Sequence, residues 1–202
     1  MQQVIKFHEE GIQIIFGHTT SMTATTTVKG GTVFNLIQSS YSATSAELSN
    51  RVTYKYFSRV VPPDNVQIKA IMALLDHLYT TTNQIQWKQV GIICTSDSYG
   101  LDFAKLFIAL QTERGFQVLA FQQFINGATN VSTEMTELKK SNSRVFIAAM
   151  VGRDWTTVLL QAIELEIIGD RYIWICPDGC AIGGYFTGGQ PDYTKVAALT
   201  GL

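Results

Sequence analysis

Residues 38–64 read QSSYSATSAELSNRVTYKYFSRVVPPD, and the fold turns on this stretch. It begins where an apolar run, Val33 to Ile37, gives way to Ser39, Ser40, Ser42, Thr44 and Ser45. An α/β fold puts its ligand contacts just past the end of a buried strand, and short hydroxyl side chains suit that position. A second apolar and aromatic run, Tyr54 to Val61, is closed by Pro62-Pro63-Asp64. No helix-length connection precedes it, so its Pro-Pro end reads as a chain passing from one sheet to another. Asp64 then opens a long amphipathic segment.

Outside this stretch, apolar runs recur at Ile12 to Phe16, Val90 to Ile93, Phe116 to Phe121, Val145 to Met150 and Tyr172 to Cys176. The last four are separated by lengths that hold one helix each, as repeated strand–helix units with right-handed crossovers require. Their near-continuous hydrophobicity fits strands covered on both faces, hence a parallel sheet. Between the runs, Ile71, Leu74, Leu75 and Leu78 share one helical face. So do Phe103, Phe107 and Leu110, and likewise Val158, Ala162 and Leu165. The predicted fold class is α/β with parallel sheets.

The chain has 202 residues, 46% of them hydrophobic and 15% charged, which is enough to bury one large or two small cores. A formal charge of −1 with scattered Lys and Arg argues against nucleic acid as a partner. No apolar run approaches the roughly 18 residues of a membrane span, and no basic-then-apolar secretory signal opens the chain. The opening VIKFHEE reads as the tail of a helix, so the chain is expected to be a fragment that starts inside a domain.

Catalytic and metal chemistry find little support. His8, His18 and His77 fall in separate elements, there is no G-x-S-x-G elbow, and Asp97 with Asp102 flank a turn as surface carboxylates do. Cys94 lies inside an apolar run and reads as a buried free thiol. Cys176-x3-Cys180 has neither a second cysteine pair nor a nearby histidine, so zinc is not expected. The Gly-rich segment Asp178 to Gln190 matches no nucleotide loop and reads as a mobile crossing loop. No metal, no cofactor and no enzymatic activity are therefore expected. Asn130-Val-Ser132 is a glycosylation sequon and hints at secretion.

The binding candidates each have a plain structural alternative. Ser21 starts a Thr-rich helical stretch, where hydroxyls and unpaired N–H groups suit a carboxylate, or where it is simply an N-cap. Thr44-Ser-Ala-Glu47 is a capping box, so Thr44 either closes its own helix or also contacts a ligand. Asp64 before Asn-Val-Gln67 is cap-like as well. Tyr99, in WKQVGIICTSDSYG (Trp87 to Gly100), stands past a strand end, placed to cover an ammonium or to pack a corner. Asp178 follows the last apolar run.

The strings Tyr41-Ser-Ala-Thr-Ser45, Glu47-Leu-Ser49, Tyr54-Lys-Tyr-Phe57 and Arg59-Val-Val-Pro62 with Asp64 resemble the ligand-binding region of class C G-protein-coupled receptors. More widely, they resemble the type I periplasmic-binding-protein family that includes natriuretic-peptide receptors. The resemblance implies two lobes: residues 1–58 end lobe 1, 59–182 form most of lobe 2, and 183–202 start the return. It implies an extracellular module at the plasma membrane that binds a small molecule, an α-amino acid by preference, and reports by closing. Membrane contact would come only through segments downstream.

The resemblance implies that Ser21, Ser42 and Thr44 meet the α-carboxylate and α-amino groups from lobe 1. It implies likewise that Asp64, Tyr99 and Asp178 meet the ammonium from lobe 2. Two departures stand out. Cys180 occupies the place after Asp-Gly where the receptors usually have tryptophan, and Ile182 and Gly183 stand near a usual arginine. The resemblance also implies a homo- or heterodimer formed through lobe 1. The alternatives are a non-binding subunit that keeps the fold for dimerisation alone, the ligand-binding region of a receptor guanylate cyclase, and a solute-binding protein.

Overall fold

The computed structural model describes residues 2–181. The chain divides into two compact units between Lys69 and Ala70, and each is taken by itself.

The first unit contains helix α1 (Gln2–Glu9), strand β1 (Ile14–Phe16), helix α2 (Ser21–Thr32), strand β2 (Ile37–Ser40), a 3-10 turn (Ala46–Ser49) and strand β3 (Phe57–Arg59). The strands lie in the order β1-β2-β3, all parallel. Their carboxyl ends therefore share one edge. Ala24 and Val28 of α2 pack with Ala43, Leu48, Tyr54 and Phe57 in a small core. Phe16 remains 81% exposed at the end of β1.

Two sequence expectations are corrected here. The run Val33 to Ile37 is not a strand. Helix α2 continues to Thr32, and the Phe34 and Leu36 N–H groups both donate to the Gly31 carbonyl at 3.0 Å. Asn35 takes φ 54°, a left-handed turn that Asn tolerates, and the strand begins only at Ile37. Leu36 is buried because it plugs the turn, not because it sits in a sheet. The run Tyr54 to Val61 likewise shrinks to three strand residues, since Tyr54 and Phe57 are joined by a turn bond of 3.2 Å.

Helix α3 (Asp64–Thr82) carries the chain from the first unit into the second. Its fully buried apolar positions are Ile68, Met72 and Leu75, whereas Leu74 is half exposed. The predicted face was set a step around the helix from the real one.

The second unit has strands β4 (Gln89–Thr95), β5 (Gln117–Phe124), β6 (Val145–Ala149) and β7 (Ile173–Ile175), with helices α4 (Ser98–Leu110), α5 (Ser132–Lys140) and α6 (Gly152–Glu164). The sheet order is β5-β4-β6-β7, again all parallel. Val90 to Thr95 and all of β6 are buried, as central strands with both faces covered must be. Met135 and Leu138 of α5 share one core with Val158 and Ala162 of α6, Phe146 and Ala148.

The path explains that sharing. From β4 the chain steps outward to β5, then back across β4 to β6 and on to β7. Right-handed crossovers then put α5 and α6 on one face and α4 on the other. The direction reverses between β4 and β6, which makes the carboxyl ends of those two strands the switch point where such sheets bind ligands.

Candidate functional site

In the first unit the loops past β1, β2 and β3 are lashed to one another by a continuous hydrogen-bond net. The Gln38 Nε2 donates to the Gly17 carbonyl at 2.9 Å, and the Ser40 Oγ donates to the His18 carbonyl at 2.7 Å. The same Ser40 oxygen accepts the Ser42 and Ala43 N–H groups at 3.2 and 2.8 Å. The Ser45 N–H donates to the Ser21 Oγ at 3.0 Å, tying the β2 loop to the start of α2. From β3, Arg59 Nη1 donates to the carbonyls of Ala43 (3.2 Å) and Ser45 (2.8 Å), while Nη2 donates to the Ser49 hydroxyl. Finally, the Asp64 N–H donates to the Thr44 carbonyl at 2.9 Å.

This net places four sequence candidates together. Ser21, Thr44 and Asp64 are buried, with Asp64 at 0% and Thr44 at 3% exposure, and Ser42 is half-buried. Asp64 stands with Thr44 in the first unit, rather than with Tyr99 and Asp178 in the second. A carboxylate in such a place needs compensation. Asp64 has the Gln67 amide on its Oδ1 at 3.2 Å and the positive charge of Arg59 nearby. Burial pulls the Arg59 guanidinium below its ordinary value, Asp64 pulls it back up, and Arg51 adds to the lowering.

The expected capping box at Thr44 is displaced by one residue. Ser45 is the cap of the 3-10 turn, its hydroxyl accepting the Glu47 N–H at 3.3 Å. Glu47 instead receives the Tyr54 hydroxyl and an ion pair from Lys29 at 3.5 Å. Ser21 is also not the cap of α2, because Thr20 takes that role on the Thr23 N–H. Neither Ser21 nor Thr44 is therefore explained as an N-cap.

In the second unit the structure joins Tyr99 and Asp178, which are far apart in sequence. Asp97 caps α4 by accepting the Tyr99 and Gly100 N–H groups, both at 2.9 Å. This turns Tyr99 back over the strand ends, where its hydroxyl donates to the Asp178 Oδ1 at 2.9 Å and accepts the Gly179 N–H at 3.0 Å. Gly179 permits the approach: a Cβ there would lie 2.5 Å from the tyrosine ring and 2.6 Å from the Met150 carbonyl. Gly100 is similarly required, since its Cβ would lie 2.6 Å from the Ala149 carbonyl.

A disulfide joins Cys176 and Cys180, whose Cα atoms are 5.9 Å apart, so Asp178 is held inside a small covalent ring. Cys94 is the free, buried cysteine, as its apolar surroundings predict. Among the described residues no cluster of His, Cys, Asp or Glu could hold a metal ion. No described helix is long and apolar enough to cross a membrane. Most of the Gly-rich segment and the segment 183–202 lie outside the described residues.

Sequence reasoning missed the supports. Arg59 and Ser40 were visible only as members of a string and a hydroxyl-rich run. Asp154, buried at the switch point with its Oδ1 accepting the Gly127 N–H at 2.7 Å, gave no sequence signal. An acidic residue two places into a predicted helix looks like any first-turn carboxylate.

The family described as receptor family ligand binding region matches residues 1–194. Over 168 residues the chain is 31% identical to metabotropic glutamate receptor-like protein E of Dictyostelium discoideum, covering 79% of this chain and 19% of that protein. Over 144 residues it is 27% identical to human gamma-aminobutyric acid type B receptor subunit 2, covering 71% of this chain and 14% of that protein. The rat counterpart is 26% identical over the same length. The chain thus spans less than a fifth of the curated relatives it matches. With two all-parallel α/β sheets and that coverage, the chain belongs to the receptor-family ligand-binding regions, with a periplasmic-binding-protein-like fold and class C G-protein-coupled-receptor-like relatives.

Proposed function

We propose that this chain is the extracellular sensing region of a cell-surface receptor and grips a small α-amino acid. The observation that carries the reading is the location of the candidates. Ser21, Ser42, Thr44 and Asp64 all follow carboxyl ends of the first parallel sheet, and Tyr99 and Asp178 follow carboxyl ends of the second. Hydroxyls and helix-start N–H groups suit a carboxylate, and aspartates with a tyrosine suit an ammonium. A ligand with differential affinity for a closed state shifts the population toward it, and that shift is the signal passed to a downstream membrane domain. G-protein coupling is the output that the relatives' kind supports best.

The test is calorimetry and small-angle scattering of the whole ectodomain against an amino-acid panel. Binding with compaction is expected, and Tyr99→Phe should reduce both. Binding without any change in dimensions would reject closure, and no binding by any amino acid would reject the ligand class. A second reading follows from the relatives named as subunit 2 of a receptor and from Cys180 after Asp-Gly. In it, the chain keeps the fold in order to pair with another subunit. A panel without binders, together with a stable heterodimer, is its signature.

A further inference from the structure

We propose that Asn130 carries an N-linked glycan, which marks the α5–α6 face of the second unit as one left open to solvent. Asn130-Val-Ser132 is the single Asn-x-Ser/Thr triplet in the chain, and its middle residue is not proline. It lies on the connection between β5 and α5, with Asn130 and Ser132 both exposed.

The geometry suits attachment at the amide nitrogen. The Ser132 N–H and the Gln161 Nε2 both donate to the Asn130 Oδ1, at 2.8 and 3.1 Å. Two donors on one oxygen fix which end of the amide faces the fold. The Nδ2, the atom that takes the sugar, makes no hydrogen bond among the described residues, so a glycan there displaces none. The neighbouring backbone is pinned as well. The Val131 side chain is buried in the α5–α6 core and its N–H donates to the Gln161 Oε1 at 2.9 Å. A bulky hydrated chain at this anchored point keeps that face in solvent.

The inference rests on the extracellular reading, and the test separates the two. The full-length receptor is taken from membranes of its own cells, labelled beforehand with an impermeant lysine biotinylating reagent. It is then digested with peptide-N-glycosidase F and mapped by mass spectrometry. The expected result is a biotinylated chain whose position 130 reads as Asp after glycan release. Asn130→Gln and Ser132→Ala should lose that release, while Ser132→Thr retains it. A biotinylated, folded receptor with unmodified Asn130 overturns the glycan itself. A chain protected from the label in intact cells overturns the extracellular reading, and the glycan with it.

Discussion

Thr44 and Asp64 are joined through the backbone: the Asp64 N–H donates to the Thr44 carbonyl at 2.9 Å. The loop after β2 and the first turn of α3 are thus one piece, and the two side chains keep fixed positions relative to each other. Because Ser45 rather than Thr44 caps the 3-10 turn, Thr44→Ala removes a hydroxyl without removing a cap or that backbone bond. Amino-acid affinity should fall by about 1.5–3 kcal/mol, the worth of a hydrogen bond to a charged group. Unfolding free energy should change by less than about 1 kcal/mol. Calorimetry and urea denaturation read the two quantities separately. Unaltered affinity in the folded variant would remove Thr44 from the site.

Arg59 is the clamp of that piece. One guanidinium spans Ala43, Ser45 and Ser49, a fork that an ammonium cannot reproduce. Arg59→Lys keeps the charge beside Asp64 and loses the geometry. Folding stability should drop by about 1.5–3 kcal/mol, and ligand affinity should drop with it, because the loop bearing Ser42 and Thr44 is released. Urea denaturation beside ligand titration decides the matter. An unchanged unfolding midpoint would mean that the carbonyls are held without Arg59.

How much of this was written in the sequence depends on the kind of interaction. The central strands β4 and β6 were legible because doubly covered parallel strands are near-continuous apolar runs, and the edge strands β5 and β7 because apolar runs recur at the spacing of strand–helix units. The short strands β2 and β3 were not, because Leu36 and Tyr54 are buried by turns, and burial without periodicity looks like a strand. The Tyr99–Asp178 contact could be suspected only through family resemblance, since 79 positions separate the partners and no local pattern links them. The Asp97 cap could have been found, as Asp-Ser-Tyr-Gly after an apolar run is a helix start. Arg59 could not, because a half-buried arginine in a strand gives no hint that its partners are backbone carbonyls.

Cys94 offers a direct probe of the second unit's integrity. It lies in the middle of the sheet with no exposed surface, and burial pushes its thiol pKa up to about 12. The Asp97 carboxylate adds to the rise and Lys105 opposes it. Thiolate is the reactive form, so both access and ionisation are denied in the folded state. An alkylating reagent near pH 8 should leave Cys94 intact in native protein and modify it at the rate of unfolding. With the Cys176–Cys180 disulfide formed, no other thiol should titrate. Rapid modification without denaturant would show that β4 is not the closed central strand described.

Asp154 should make the fold less tolerant of rising pH within the weakly acidic range. The carboxyl is 1% exposed, and it accepts the Gly127 N–H at 2.7 Å and the Asn126 Nδ2 at 3.1 Å. Asn126 also donates to the Asp97 Oδ2 at 3.0 Å, which brings two carboxylates to one amide. Burial pushes the Asp154 pKa above the ordinary 3.8, the Gly127 N–H pulls it down, Asp97 pushes it up and Arg153 pulls it down, with burial the largest effect. Below 3.8 both folded and unfolded chains carry the proton, so the group contributes nothing. Above it the unfolded chain releases its proton first, because the native state holds that proton more tightly. The contribution of Asp154 to stability therefore falls as pH rises from the unfolded value to the folded one, and stays at its lower level beyond. Asp154→Asn removes this titration while imposing a penalty independent of pH, since an amide offers one acceptor where two N–H groups converge. Urea denaturation of both proteins from about pH 3 to pH 7 gives the comparison. The advantage of the parent over the variant should shrink with rising pH just above the ordinary carboxylate value. An advantage that grows over that interval would mean that the Gly127 and Asn126 bonds outweigh burial, and that Asp154 is a stabilised carboxylate instead.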